Sequence, residues 1–361
     1  MPNGNGIEWL LQVNAENSAK FLADQKDRQN WRKEHRTQFK WLKCMDGRLL
    51  ASDWTETPMG IIAPMRNLGG IFDIGWPHFH SVVHEWKGYA DDHENDSVLF
   101  CSYHYSRGSK QRGCKGHGYN DERALRYSAK MKKDWDEYSS AEVRSGKTDT
   151  RLFPILVGME TDREALILHG EDGEAWDLSE IDDTSDDGLW NLAIGRYPSI
   201  YASARNVIGD LVELFRGNTS HIARIKELCR PPQEMDHRES ILAVGRGFDW
   251  LHLPNKALIV GPWQDNLAEP IATAARLIQN NLESGILGDS KIVLLTSGVW
   301  RDPGGEQVLA KDKSLYLMKT IAMPVIRESF SKLLPRLELL VITTDLNTRK
   351  VEVIERQTAK F

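Results

Sequence analysis

At 361 residues the chain has room for two domains of ordinary size, and 46 Lys and Arg against 52 Asp and Glu leave a formal charge of −6, which disfavours nucleic acid or an anionic membrane as the main partner. No apolar run approaches the ~20 residues of a membrane-spanning helix, and the opening MPNGNGIEWLLQ lacks a basic stretch followed by an apolar one, so neither a membrane span nor a secretory signal is predicted. Four cysteines, at positions 44, 101, 114 and 229, are too few for a disulfide framework, and the expectation is a cytoplasmic protein with thiols free to bind metal.

Residues 15 to 38 are polar, good helix formers with a few spaced apolar positions, which predicts a surface helix within an N-terminal arm over 1–38. From Phe39 short apolar strands alternate with helical stretches: FKWLKCM, GIIAPM, a helix from Pro77 to Tyr89, SVLFCSY, a longer helix from Asn120 to Tyr138, then RLFPILVG and EALILHG as two antiparallel strands. This is an α/β pattern. Nine acidic residues among the eighteen from Glu171 to Gly188 read as a solvated linker.

Beyond a helical passage to Leu228 the same order returns: ILAVGRGF, KALIVGP, a helix from Ala268 to Asn281, KIVLLTSG, a helix from Lys313 to Leu334, and finally RLELLVITTD and KVEVIE. The expected fold is therefore α/β with two tandem copies of one unit, each with a central, mostly parallel sheet. The predicted boundaries are 1–38 for the arm, 39–172 for a metal-bearing domain, 173–190 for the acidic linker and 191–361 for a second copy.

The densest chemical signal lies in the first copy. Cys44, Asp46 and Arg48 alternate along CMDGR at the end of an apolar strand, where open α/β sheets build their sites. A second strand delivers His104, and Cys114 follows a Gly-rich polar loop. Taken singly, each would read as a buried or incidental residue. Together, two thiolates and one imidazole suit zinc and leave a fourth tetrahedral position open, which points to catalysis. The same thiolates accept cadmium, a candidate substitute. His117 is the rival to His104, which is preferred because it directly follows a strand.

These residues resemble the carbonic anhydrases of the beta superfamily, whose pattern is C-x-D-x-R followed by a His and a Cys. CMDGR supplies the first part, and MRNLGG at 65–70 resembles the Arg-Asn segment between the two halves of the metal site. His104-x9-Cys114 is longer than the ordinary H-x-x-C spacing and is similar to the zeta-class and carboxysomal branches. The carboxysomal branch also carries a degenerate second copy: here Leu242, Val244 and Val299 are placed where Cys44, Asp46 and His104 stand, while Arg246 is matched to Arg48.

The resemblance implies reversible hydration of carbon dioxide to bicarbonate by metal-bound hydroxide. Cys44, His104 and Cys114 would hold the metal, Asp46 would orient the hydroxide, and Arg48 would hold Asp46. Gly69 and Gly70, the substrate-binding candidates, would let backbone approach the metal closely, with Ile61, Ile62 and Phe72 as a dry seat for carbon dioxide. The second copy would take the place of a second subunit as an internal pseudo-dimer, with a homo-oligomer open beyond it. Hydrolysis of carbonyl sulfide or carbon disulfide, or a non-catalytic zinc scaffold, are the alternatives. The long N-terminal segment of the carboxysomal enzymes has no counterpart here, which leaves carboxysome association open but unsupported.

Three other signals carry less. His80 and His84 share a helical face beside His78, but no Asp or Cys completes a metal shell. Arg107, Lys110, Arg112 and Lys115 read as a solvated loop rather than a phosphate patch. Twelve tryptophans are assigned to core and subunit contacts.

Overall fold

Two open sheets with the same strand order account for the α/β pattern. The computed structural model describes residues 6–146, 151–251 and 253–358. In the first sheet, β1 (Gln38–Cys44), β2 (Ile62–Asn67), β3 (Ser97–Tyr105), β4 (Leu152–Glu160), β5 (Ala165–His169) and β6 (Ala175–Asp177) lie in the order β2-β1-β3-β4-β5-β6. The second contains β7 (Ile241–Gly245), β8 (Ala257–Val260), β9 (Ile292–Trp300), β10 (Leu337–Asp345) and β11 (Val351–Gln357), ordered β8-β7-β9-β10-β11. In both sheets the first four strands of the order are parallel and the next is antiparallel, so two sheet units of one topology follow each other along the chain. The parallel strands are buried almost throughout, as expected when both faces are covered.

Helices α1 (Gly6–Ala23) and α2 (Gln25–Glu34) form the arm, and α3 (Ala51–Trp54), α4 (Pro77–Asp92) and α5 (Asp121–Arg144) belong to the first sheet. α4 opens on Pro77, whose missing N–H costs nothing in a first turn. α5 is capped by Asn120, which accepts from the Arg123 N–H at 2.8 Å. Its stripe of Ala124, Ser128, Met131 and Trp135 is buried, and Met131 and Trp135 meet Leu42, Leu99 and Phe79 in one core. Next come α6 (Asp186–Arg196), α7 (Pro198–Ser203), α8 (Arg205–Glu227), α9 (Ala268–Glu283), α10 (Gly305–Tyr316) and α11 (Met323–Ser329). The helix expected from Lys313 begins earlier, at Gly305, and passes through a π-helical turn over Leu317–Ala322 just before Pro324. α8 inserts Val207, Leu211 and Phe215 into a core that continues into both sheets, so the halves share apolar burial. Among the described residues no helix is long and apolar enough to cross a membrane.

Three sequence expectations change. The arm is less superficial than its polarity predicts: α1 starts at Gly6 and buries Ile7, Leu10 and Val13 against Ile241, Ala243 and Trp250. The Ile7 N–H donates to Glu338 at 2.9 Å, and Asn17 Nδ2 to the Trp250 carbonyl at 2.7 Å. The first five residues of the opening segment lie outside the described residues.

The acidic stretch is not simply a linker. It supplies β6, which pairs with β5, and the N-cap of α6, where Ser185 Oγ accepts from Gly188 at 3.1 Å. Its carboxylates are used: Asp177 and Glu180 take Arg107, and Asp172 takes Arg196 at 2.8 Å. Charge pattern alone cannot separate a solvated linker from an edge strand whose acids meet basic partners elsewhere.

The third change is one of register. Phe39 pairs with Val98 on β3, and Ile241 with Val293 on β9. His104 pairs with Met159 and Val299 with Thr344, the equivalent level in each sheet. Counting five residues on from Phe39 and from Ile241 puts Arg246, not Leu242, at the level of Cys44, and Phe248 and Trp250 at those of Asp46 and Arg48. Val299 keeps the place of His104. The shared Gly-Arg pair misleads because the two glycines answer different demands. A Cβ on Gly245 would lie 2.1 Å from the Ser297 carbonyl oxygen, whereas one on Gly47 would lie 2.8 Å from that of Ala257, where the second half packs onto the first.

Candidate metal centre

The end of β1, the end of β3 and the loop after β3 converge on one buried point. Cys44 closes β1, His104 is the penultimate residue of β3, and Cys114 stands between two short 3-10 turns, Lys110–Arg112 and Lys115–His117. The ligand atoms of these three residues all lie within 4.8 Å of one another, with the two Sγ atoms 4.0 Å apart. All three are at most 6% exposed.

His104 is the telling member. Both ring nitrogens are buried and neither has a hydrogen-bond partner in the protein, a situation that costs about 1–3 kcal/mol per orphaned group unless something outside the chain satisfies it. A metal ion is what two sulfurs and an unpartnered imidazole nitrogen would satisfy, and the donor set fits zinc. The Cys114 thiol donates to Cys44, and this contact with the neighbouring His104 holds Cys44 well below its ordinary value against the opposing effect of burial; the same contact, with burial, raises Cys114. Burial alone would lower His104, but the adjacent Cys44 raises it. His117 is used elsewhere: its Nε2 lies 2.8 Å from the Gly69 carbonyl oxygen.

Asp46 and Arg48 sit in the turn after β1 as a fork-shaped pair. Arg48 Nε donates to Oδ1 at 3.0 Å, Nη2 to Oδ2 at 2.6 Å, and the Arg48 backbone N–H to Oδ1 at 2.9 Å. Oδ2 therefore retains accepting capacity, and it lies 3.9 Å from His104 Nε2. Burial would raise the Asp46 carboxyl, but the charge and hydrogen bonds of Arg48 override it and hold the group well below the usual carboxylate range. Asp46 is thus ionised and can only accept. Arg48 is itself fixed by the carbonyls of Met235 at 3.0 Å and Arg112 at 2.7 Å.

Gly69 and Gly70 both have positive φ, 66° and 65°. A Cβ on Gly70 would stand 3.2 Å from the Ser102 carbonyl oxygen and 3.6 Å from the Cys44 nitrogen, so this turn lies against the backbone of both metal-site strands. Ile61 and Ile62 share a core cluster with Cys44, but Phe72 stacks on Phe79, centroids 5.2 Å apart, in a separate cluster.

Sequence reasoning missed two residues, both from the second half. His237 Nε2 lies 3.1 Å from Arg48 Nη2 and 3.8 Å from Asp46 Oδ2, while its Nδ1 is 3.1 Å from each Glu239 oxygen. Guanidinium nitrogens only donate, so His237 Nε2 accepts and its proton sits on Nδ1 facing Glu239. Glu239, fully buried, also takes the Gly47 N–H at 3.3 Å. Asp46, His237 and Glu239 bring ligand atoms within 4.8 Å of one another, but Arg48 already occupies that carboxylate, so the group reads as a support for the pair. The only sequence trace was an H-x-E immediately before β7.

The other signals resolve into structure. His80 and His84 stack 6.1 Å apart and His78 stacks on Trp263 at 5.8 Å, with no acidic or thiol partner completing a metal group among the described residues. Burial lowers His78 to about 4. In the basic loop, Arg107 meets Asp177 and Glu180, and Arg112 meets Asp236 at 2.6 Å.

Among known proteins, residues 37–184 match the family described as Carboxysome Shell Carbonic Anhydrase, catalytic domain. No curated protein matches the chain. The matched stretch contains the whole first sheet and every residue of the Cys-His-Cys group. Residues 37–184 are thus similar to the catalytic domain of the carboxysomal carbonic anhydrases, a family of lyases.

Proposed function

We propose that Cys44, His104 and Cys114 hold a single zinc ion and that this site hydrates carbon dioxide reversibly to bicarbonate. The observation that carries the reading is the buried triangle of two sulfurs and an imidazole with no other partner. Zinc in that triangle supplies a Lewis acid that lets water act as a nucleophile near neutral pH. Asp46, ionised and clamped by Arg48, takes a proton-bearing O–H through Oδ2 and so aims the oxygen lone pair at the carbon of the substrate. Arg48 keeps that carboxylate from turning toward the metal as a fourth ligand. His237, oriented by Glu239, supports Arg48 from the far side.

Residues 39–172 are on this reading the metal-bearing unit, 173–190 the connection, and 191–361 a copy without a metal site that completes an internal pseudo-dimer. Arg246 and Val299 at the levels of Cys44 and His104 leave the copy with no ligand in either place. A carboxysomal location is compatible with the family.

The deciding experiment combines metal analysis with stopped-flow assays of carbon dioxide, carbonyl sulfide and carbon disulfide on the same preparation. The expected result is one zinc per chain and carbon dioxide hydration far above buffer. One zinc with no hydration from pH ~6 to ~9, the range about a zinc-bound water near neutrality, would leave a scaffold; preferential turnover of a sulfur gas would move the substrate. Cadmium is expected to replace zinc in the apoprotein, because thiolates accept both.

His237→Ala tests the contribution of the second half. The expected result is retained zinc with hydration reduced about tenfold, because Asp46 and Arg48 keep each other but lose part of their positioning. An unchanged rate would make His237 a packing residue only.

A further inference from the structure

A cavity of about 780 Å³ lies between the arm, the β1–β2 edge of the first sheet and the C-terminal ends of β7 and β9. Its walls carry seven basic side chains against two acids, Glu85 and Asp249, in a chain of net charge −6. Asp249 is already engaged by Arg349 at 3.1 Å. Arg32 and Arg301 are exposed, but the cations deeper in the wall are not. Lys40 and Arg66 are each 5% exposed. Lys40 Nζ has the ring of Trp86 at 5.0 Å, Arg246 has that of Trp263 at 5.6 Å, and Arg28 has that of Phe21 at 3.7 Å. Among the described residues, no carboxylate or carbonyl accepts from Lys40, Arg66 or Arg246, and Arg28 Nη1 is buried without a partner.

Unpaired cations held out of water are costly and repel one another. Burial, with Arg246 nearby, pushes Lys40 down to about 7, and burial pushes Arg66 down to about 10. A lysine can relieve the cost by losing its proton, but a guanidinium at physiological pH cannot. What remains is an anion.

The position sharpens the point. The cavity opens where the second sheet presents the level that Cys44 and His104 occupy in the first, with Arg246 standing at the place of Cys44. One unit offers thiols and an imidazole suited to a cation; the other offers a guanidinium and further cations.

We propose that this cavity binds a small polyanion carrying at least two separated negative groups of phosphate or carboxylate type. A single monovalent anion would leave most of these cations unpaired, whereas the volume and the spread of Lys40, Arg66, Arg246 and Arg28 around it suit separated charges.

The test is calorimetric titration of the metal-loaded full chain with inorganic pyrophosphate, and in parallel with citrate, inorganic phosphate and sodium chloride at matched ionic strength. Saturable binding of about one pyrophosphate or citrate per chain is expected, with chloride inert; the tighter of the two identifies the phosphate or carboxylate source. Lys40→Met and Arg246→Gln should each weaken binding at least about tenfold, while Lys130→Gln, on the exposed face of α5, should not. Because both probes chelate metals, the titration is repeated on Cys114→Ser, where binding should persist; its disappearance there would place the anion on the metal and overturn the proposal without touching the carbonic anhydrase reading. Absence of saturation in the wild type, or affinity unchanged in a folded Arg246→Gln, would overturn it equally. Should Lys40→Met fail to fold, the wild-type titration and Arg246→Gln decide.

Discussion

Cys114→Ser is expected to lose zinc and carbon dioxide hydration together, the rate falling to the background of buffer. Thiolate is the form that binds metal, and a serine hydroxyl neither ionises near neutral pH nor reaches as far as sulfur. Removing it leaves Cys44 and His104, two ligands on adjacent strands, to hold an ion whose affinity rests on three. Metal content by mass spectrometry of the desalted protein and stopped-flow hydration on the same sample read the two losses at once. Cys229→Ser is the matched control, since Cys229 is exposed and distant in function; it should retain both metal and rate. Zinc at one per chain in Cys114→Ser would remove this cysteine from the site and return His117 to consideration. The fold itself should survive, because Cys114 lies in a loop and contributes to no strand.

Asp46→Ala should separate binding from chemistry. The three ligands are untouched, so zinc is expected to stay, while the hydration rate falls about a hundredfold as the acceptor that aims the nucleophile disappears. Full rate in the variant would refute the role given to Asp46. The substitution also strands Arg48, which is 7% exposed, and a broken buried pair costs about 3 kcal/mol at the low end of its range, the end expected here because Arg48 keeps the Met235 and Arg112 carbonyls. The pH dependence has a definite sign. The folded-state carboxyl lies below its ordinary 3.8, so its ionised form contributes stability above that value and the contribution fades as pH falls below it. Denaturant curves of wild type and Asp46→Ala should therefore differ most at neutral pH and converge in acid.

The Cys44, His104 and Cys114 group, which the fold brings together, was legible because each of its members is announced locally. Cys44, Asp46 and Arg48 alternate at a strand end, and His104 follows an unbroken apolar strand, so strand geometry alone brings them to the same edge of a sheet. The choice between His104 and His117 was not local: it depended on Gly69 offering its carbonyl to His117, a contact 48 residues away in sequence. The acidic segment was misread for a similar reason, since only the folded chain brings Arg107 and Arg196 to its carboxylates.

What the sequence by itself determined is the alternation of apolar strands and helices, its return in the same order, and the set of residues able to bind a metal; these follow from hydrophobic period and donor chemistry, which are properties of short stretches. Tertiary structure alone decided the rest: that Arg246 rather than Leu242 shares the level of Cys44, that His237 and Glu239 reach the Asp46–Arg48 pair, that α1 covers the second sheet, and that Lys40, Arg66 and Arg246 face one cavity. Register is set by hydrogen bonds between strands and by the close approaches that Gly47 and Gly245 each permit, and the meeting of distant charges by how two sheets pack. Neither is encoded within the reach of a motif.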